Sequence, residues 1–188
     1  MAHCLARTLT GLVFAAALIV ASTGRSVSPS ELESIKKGDT FYTQFSLFYE
    51  KGRYLTTNYR RGVLLPVNTR VTFLKSHRDS IYVTLPDGEE LCIENLPEYS
   101  GEDLGGIFRR TFAVSEVDLS RFSDVERKGI AIGQAKAGMS KSAVLTALGY
   151  PPKHRTPTLE GDNWRYWSSR YGTFMVEFEN DRVSSIRN

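Results

Sequence analysis

Residues 138–152 read Gly138-Met139-Ser140-Lys141-Ser142-Ala143-Val144-Leu145-Thr146-Ala147-Leu148-Gly149-Tyr150-Pro151-Pro152. Ser140 is a helix N-cap by type, since its side-chain oxygen accepts from a backbone amide of the first turn. Ala143, Val144, Ala147 and Leu148 recur at helical spacing and make one apolar stripe. Gly149 tolerates the left-handed backbone of a helix end, and Pro151-Pro152 prevents continuation. A helix is therefore bracketed by chemistry at both ends.

Downstream, a polar loop over residues 153–162 leads to β-rich runs at 164–168, 173–178 and 183–186, the last two joined by the turn Glu179-Asn180-Asp181. In the middle run Phe174, Val176 and Phe178 face one way and Thr173, Met175 and Glu177 the other, because a strand has a side-chain period of two. Upstream, residues 119–129 show helical spacing at Leu119, Phe122 and Val125, with Ser120 and Ser123 as caps. The predicted unit is a helical hairpin packed on a three-stranded antiparallel meander, an α+β arrangement.

These residues resemble the SmpA/OmlA domain family, the BamE-like fold. The likeness is carried by Gly138-Met139-Ser140-Lys141, Val144, Ala147-Leu148-Gly149 and Pro151-Pro152, then Trp164-Arg165-Tyr166, Val176-Glu177-Phe178 and Val183. It spans residues 129–188. The resemblance implies a helix-helix-β-β-β fold in the periplasm, no catalysis, and action through contacts with outer-membrane assembly proteins and anionic phospholipid. The chain departs from the family in lacking a lipidation cysteine after its apolar N-terminal run and in carrying a β-rich segment ahead of the domain.

That segment, residues 39–97, shows short β-type runs at 53–58, 63–65, 70–75, 80–85 and 90–95. Pro86-Asp87-Gly88 is a turn, with proline fixing φ and glycine tolerating positive φ. Strands at roughly 8–12-residue spacing predict a small barrel or sandwich. Leu64-Leu65-Pro66-Val67-Asn68-Thr69-Arg70-Val71, Ile81-Tyr82-Val83 and the hairpin together resemble bacterial barrels of the Src-homology-3 type. Residues 98–128 are expected to connect the two modules, with a short helix at 102–110.

The N-terminus begins with Arg7 and a short polar stretch, then an apolar run over residues 9–21, then Ala21, Ser22, Thr23 and Gly24. This is the order of a secretory signal, here residues 1–24. The run is shorter than the roughly 20 residues of a comfortable span; cleavage is expected, with retention as an anchor the alternative. Residues 25–38 read as a linker or short helix, with Ser28 as a cap and Pro29 in the first turn. Cys4 precedes the apolar run, which leaves Cys92 without an intramolecular disulfide partner; it is expected to be a small buried apolar residue.

Composition sets outer limits. The chain has 188 residues, 24 Lys and Arg against 21 Asp and Glu, and a net charge of +3, a balance that demands no nucleic-acid partner. His77 and His154 are too far apart in sequence to suggest a metal cluster, and no phosphate loop, nucleophile elbow or paired-carboxylate motif stands out. No cofactor, metal or catalytic residue is expected. His154, in the basic loop Lys153-His154-Arg155, would need an orienting carboxylate such as Asp162 or Glu160 to act as a base, and is expected to be a solvated loop residue.

The aromatic group is the more informative feature. In a strand Trp164 and Tyr166 share one face and Trp167 takes the other; one set fills the core and the opposite set is open to a partner. Trp, Tyr and Arg are enriched at binding hot spots. The expected partner-binding residues are thus Trp164, Tyr166, Trp167, Arg170, Lys153, His154 and Arg155. Arg60-Arg61 and Arg109-Arg110 are expected to be solvated charge. The expected function is non-enzymatic binding or scaffolding in cell-envelope assembly or maintenance. The expected place is the periplasm, near the outer membrane, without lipidation; full secretion is the alternative. Binding of cell wall or anionic lipid through the barrel, or inhibition of a hydrolase by a secreted form, are the alternative functions.

Overall fold

A computed structural model of the chain describes residues 32–188. The expected signal at 1–24 with Cys4, and residues 25–31 of the expected linker with Ser28 and Pro29, lie outside the described residues. The fold is mixed α+β, a curled sheet with few helices. Among the described residues, no helix is long and apolar enough to cross a membrane.

The first half comprises β1 (Thr40–Thr43), β2 (Leu47–Tyr49), β3 (Arg53–Leu55), β4 (Val63–Leu65), β5 (Arg70–His77), β6 (Ser80–Thr84), β7 (Glu90–Glu94), α1 (Pro97–Ser100), α2 (Leu104–Thr111) and β8 (Phe112–Ala113). Six strands run in the order β3-β7-β6-β5-β1-β8, and β2 pairs with β4 in a separate ribbon. The alternation read in the sequence is the mechanism: Val71 and Phe73, Ile81 and Val83, and Leu91 and Ile93 all point to one buried face. The β6–β7 turn has the expected chemistry, with the Gly88 amide donating to the Leu85 carbonyl (3.0 Å) and the Glu89 amide donating to Asp87 Oδ1 (3.0 Å).

Two expectations change here. Residues 104–113, expected to connect modules, belong to the first core: Ile107, Phe108 and Phe112 are buried in it, β8 pairs with β1, and the Phe108 ring meets Phe41 edge-on at 4.9 Å. An eight-residue helix with one apolar face closes the sheet more readily than it spans solvent. Cys92 is not a core residue. It alternates with the buried Leu91 and Ile93, so it lies on the opposite face of β7 and is half-buried.

The second half comprises α3 (Asp124–Ala131), α4 (Lys141–Leu148), β9 (Asn163–Trp167), β10 (Thr173–Glu179) and β11 (Arg182–Arg187), with antiparallel strand order β11-β10-β9. Ser140 caps α4 by accepting from the Ala143 amide (3.2 Å), and Gly149 ends it at φ +73°. Val144, Ala147, Leu148, Trp164, Tyr166, Val176, Phe178 and Val183 share one core. The single helical stripe read over 119–129 is broken. Leu119–Arg121 is a 3-10 turn capped by Asp118, and Ser123 opens α3 with a capping box to Glu126. Phe122 in the extended link is buried, whereas Val125 points outward.

The two cores are joined along the C-terminal end of α4. The Ser46 amide donates to the Thr146 carbonyl (2.9 Å), and Asn58 Nδ2 donates to the carbonyls of Leu148 (2.7 Å) and Tyr150 (3.0 Å). Arg60 overturns its expected solvated role. Its guanidinium donates to the carbonyls of Gly133 (2.8 Å), Leu148 (2.9 Å), Ala147 (3.2 Å) and Ser46 (3.2 Å) and lies over the Phe48 ring. The last carbonyls of a helix carry partial negative charge and lack intrahelical donors, which is what a guanidinium fork satisfies. Burial lowers the Arg60 pKa to about 10. Arg61, its neighbour, is exposed and pairs with Glu50 at 2.9 Å.

Candidate functional site

The residues singled out by sequence divide into two groups. Trp164 and Tyr166 are fully buried, each at 0% exposure. Trp164 packs on Phe178 with ring centroids 4.6 Å apart, and its indole N–H donates to the Gly161 carbonyl (3.0 Å). The Tyr166 hydroxyl donates to the carbonyl of Gly149 (3.0 Å), and burial pushes its pKa well above the ordinary value. Both therefore serve the core, and the expectation that they meet a partner is corrected by their burial.

Trp167, Arg170, Lys153, His154 and Arg155 lie on the surface or half-exposed. Strand alternation turns Trp167 to the face of β9 opposite Trp164 and Tyr166. There the His154 ring stacks on Trp167 with centroids 6.2 Å apart and planes 26° from parallel. Tyr99, from α1, meets the His154 ring edge-on at 5.0 Å. Three rings from three separate segments thus form one row across the junction of the two cores.

The backbone fixes that row. The Lys153 amide donates to the Tyr99 carbonyl (2.7 Å), and the Thr156 hydroxyl accepts from the Arg165 amide (2.9 Å), so the loop is tied at both ends. Gly101, at φ +65°, lets the Lys153 side chain pass: a Cβ there would sit 2.1 Å from Lys153 Cδ. The Arg60 amide donates to the Trp167 carbonyl (3.0 Å), and Tyr59 forms an isolated parallel bridge with Trp167. The Trp167 indole N–H is buried with no acceptor. In the following turn the exposed Arg170 guanidinium lies over the Tyr171 ring at 5.6 Å, and Tyr171 is 88% exposed.

The electrostatics bear on the acid–base alternative. Burial first, and then the Arg155 charge, lower the His154 pKa below its ordinary value. Asp162, with Glu160 one of the two carboxylates available in sequence to orient it, is held by Lys141 Nζ at 3.1 Å; Lys141 also pairs with Asp181 at 2.9 Å. His154 is therefore packed by rings rather than oriented by Asp162. Among the described residues, no group of three or more His, Cys, Asp or Glu side chains is arranged to hold a metal ion.

Sequence reasoning missed two residues of this surface. Tyr99 and Tyr59 come from segments 55 and 95 positions before His154, and no local pattern links them to it. The chain matches no protein-family model, no curated protein and no solved structure.

Proposed function

We propose that this protein is a non-enzymatic binding and scaffold protein of the bacterial envelope, working in the periplasm through contact with another envelope protein. In this reading residues 39–97 form a barrel unit of the Src-homology-3 type and residues 129–188 a BamE-like unit. The order α4, β9, β10, β11, with α3 (Asp124–Ala131) running in across the boundary at residue 129, supports the second assignment.

The observation that carries the reading is the ring row of Tyr99, His154 and Trp167, flanked by Arg170, Lys153 and Arg155 and crossing the junction of the two cores. Tied loops and bridged strands hold these side chains before any partner arrives, and such preorganisation lowers the ordering cost of association. Trp, Tyr and Arg are the residue types that anchor protein interfaces.

The test is affinity capture from crosslinked cell envelopes with the native chain and a Trp167→Ala, Arg170→Ala double variant. Recovery of outer-membrane assembly components by the native chain, lost in the folded double variant, is the expected result. Equal recovery by both would overturn the reading. A second reading, cell-wall or anionic-lipid binding through the barrel, draws support from an open cleft of about 270 Å³ lined by Phe48, Lys51, Arg53, Tyr59 and Arg61 beside Glu50. Salt-sensitive sedimentation with peptidoglycan or anionic vesicles, retained by the double variant, would favour it.

A further inference from the structure

The three-stranded sheet packs one face on the core shared with α3 and α4. Its opposite face has a definite charge order. The register sets Arg165, Met175 and Arg187 in one cross-strand row, with Trp167 opposite Thr173 in the next row. His154 lies on the Trp167 ring, and the adjoining loop and turn add Lys153, Arg155 and Arg170. Among the described residues, Lys153, Arg155, Arg165 and Arg170 have no carboxylate partner. Glu177, in the third row, pairs with Arg187 and accepts from the Ser185 hydroxyl. Glu179 lies at the far end of the same strand, opposite Arg182. The cations without a carboxylate partner thus gather at the Trp167 end, and the β10 carboxylates lie toward the other end beside Arg187 and Arg182.

A shallow depression of about 310 Å³ opens at the cationic end, lined by Arg165, Thr173, Phe174, Met175, Arg187 and Asn188. We infer that this end of the sheet face receives an acidic, extended segment of the protein partner. The inference rests on the protein-contact reading above and names the chemistry of what is contacted. Guanidinium groups present planar donor forks that match carboxylates. Arg165 and Arg187 stand two strands apart, about 10 Å, and an extended segment in the polyproline II conformation covers about 9 Å in three residues, one full turn that returns to the same side. Carboxylates at every third position would therefore meet both.

The same face is poorly shaped for a bilayer. Met175 is half-buried, and the exposed Tyr171 ring carries the Arg170 guanidinium over it. Membrane-surface elements instead project apolar side chains beneath the headgroups.

The test is fluorescence anisotropy of the full chain with a short labelled peptide bearing glutamate at every third position. Its glutamine counterpart and phosphatidylglycerol vesicles serve as the alternative probes. The glutamate peptide should bind about tenfold more tightly than the glutamine one, and raised salt should weaken it. Arg165→Glu should remove that preference, Arg165→Lys should keep only part of it, and Glu177→Gln, which frees Arg187, should strengthen binding. Thermal unfolding of each variant reports whether it is folded. Equal affinity for both peptides, or binding to the vesicles with none to the peptide, would overturn the inference. Envelope capture separates the two levels. If Trp167→Ala, Arg170→Ala loses the partner while Arg165→Glu keeps it, the acidic-segment inference fails and the contact reading stands. If both variants keep it, the contact reading itself fails. Loss in both supports the inference.

Discussion

Ser123 and Ser140 open two different helices, and the backbone amides of both donate to the one carboxylate of Glu126, at 2.8 and 2.9 Å. Arg182 stands 3.9 Å from the same group. Burial pushes the Glu126 pKa up, but the hydrogen bonds from Ser140 and Ser123 outweigh it and hold the carboxyl at about 2 against an ordinary 4.5. The folded-state value lies below the unfolded one. The stabilisation is therefore complete above about pH 4.5 and is lost as pH falls from there toward 2. A difference of that size is worth up to roughly 3 kcal/mol. Glu126→Gln should lower stability near neutral pH and flatten the acid limb of a denaturation-midpoint profile between those limits.

Arg60 satisfies carbonyls from both halves of the molecule. Arg60→Met keeps the stem but takes the guanidinium from the carbonyls of Gly133 and Ala147 and leaves Leu148 with Asn58 alone, a loss of order 3 kcal/mol. Arg60→Lys should recover less than half of this, because an ammonium cannot reproduce the planar fork. Urea denaturation measures both. A Lys variant as stable as the native chain would contradict the geometry.

Gly149 sits at φ +73°, and a Cβ there would lie 2.6 Å from the Phe45 ring. Gly149→Ala should cost about 1–3 kcal/mol, combining backbone strain with a forced shift of Phe45. The melting temperature reads this directly. Gly138→Ala is the control: φ is +83° there, yet nothing lies within 4 Å of the new Cβ, so only the backbone part should appear.

The two tryptophans, three residues apart, should behave oppositely. Trp164→Ala empties the centre of the second core and should destabilise by about 3–5 kcal/mol. Trp167→Ala should cost far less stability, free one face of the His154 ring, and reduce partner capture. Thermal unfolding beside the envelope capture assay distinguishes them; similar melting temperatures for the two variants would contradict the assigned faces.

Legibility in the sequence followed the range of the interactions. The helix from Ser140 to Gly149, the turn at residues 86–88 and the alternation in β5, β6, β7 and β10 were readable because their causes lie within a few residues of one another. Strands β1, β2 and β8 were not marked out individually, since each has two to four residues and takes its order from partners far along the chain. Arg60 next to Arg61 looks like solvated charge because four of its acceptors lie on Ser46, Gly133, Ala147 and Leu148. The division of Trp164 and Tyr166 from Trp167 was predictable from a period of two. Which side was core depended on Val176 and Phe178 in the neighbouring strand.

The loop from Thr56 to Arg60 has a consequence for synthesis. Thr56, Thr57 and Asn58 are buried although none belongs to a strand or helix. The acceptors for Asn58 and Arg60 at Leu148 lie 90 and 88 residues further on. The strands of the first sheet are therefore all synthesised before Leu148, whose carbonyl Asn58 and Arg60 share. A first core closed without α4 would leave the Asn58 amide and most of the Arg60 guanidinium without their acceptors, so helix α4 is the piece that seals it.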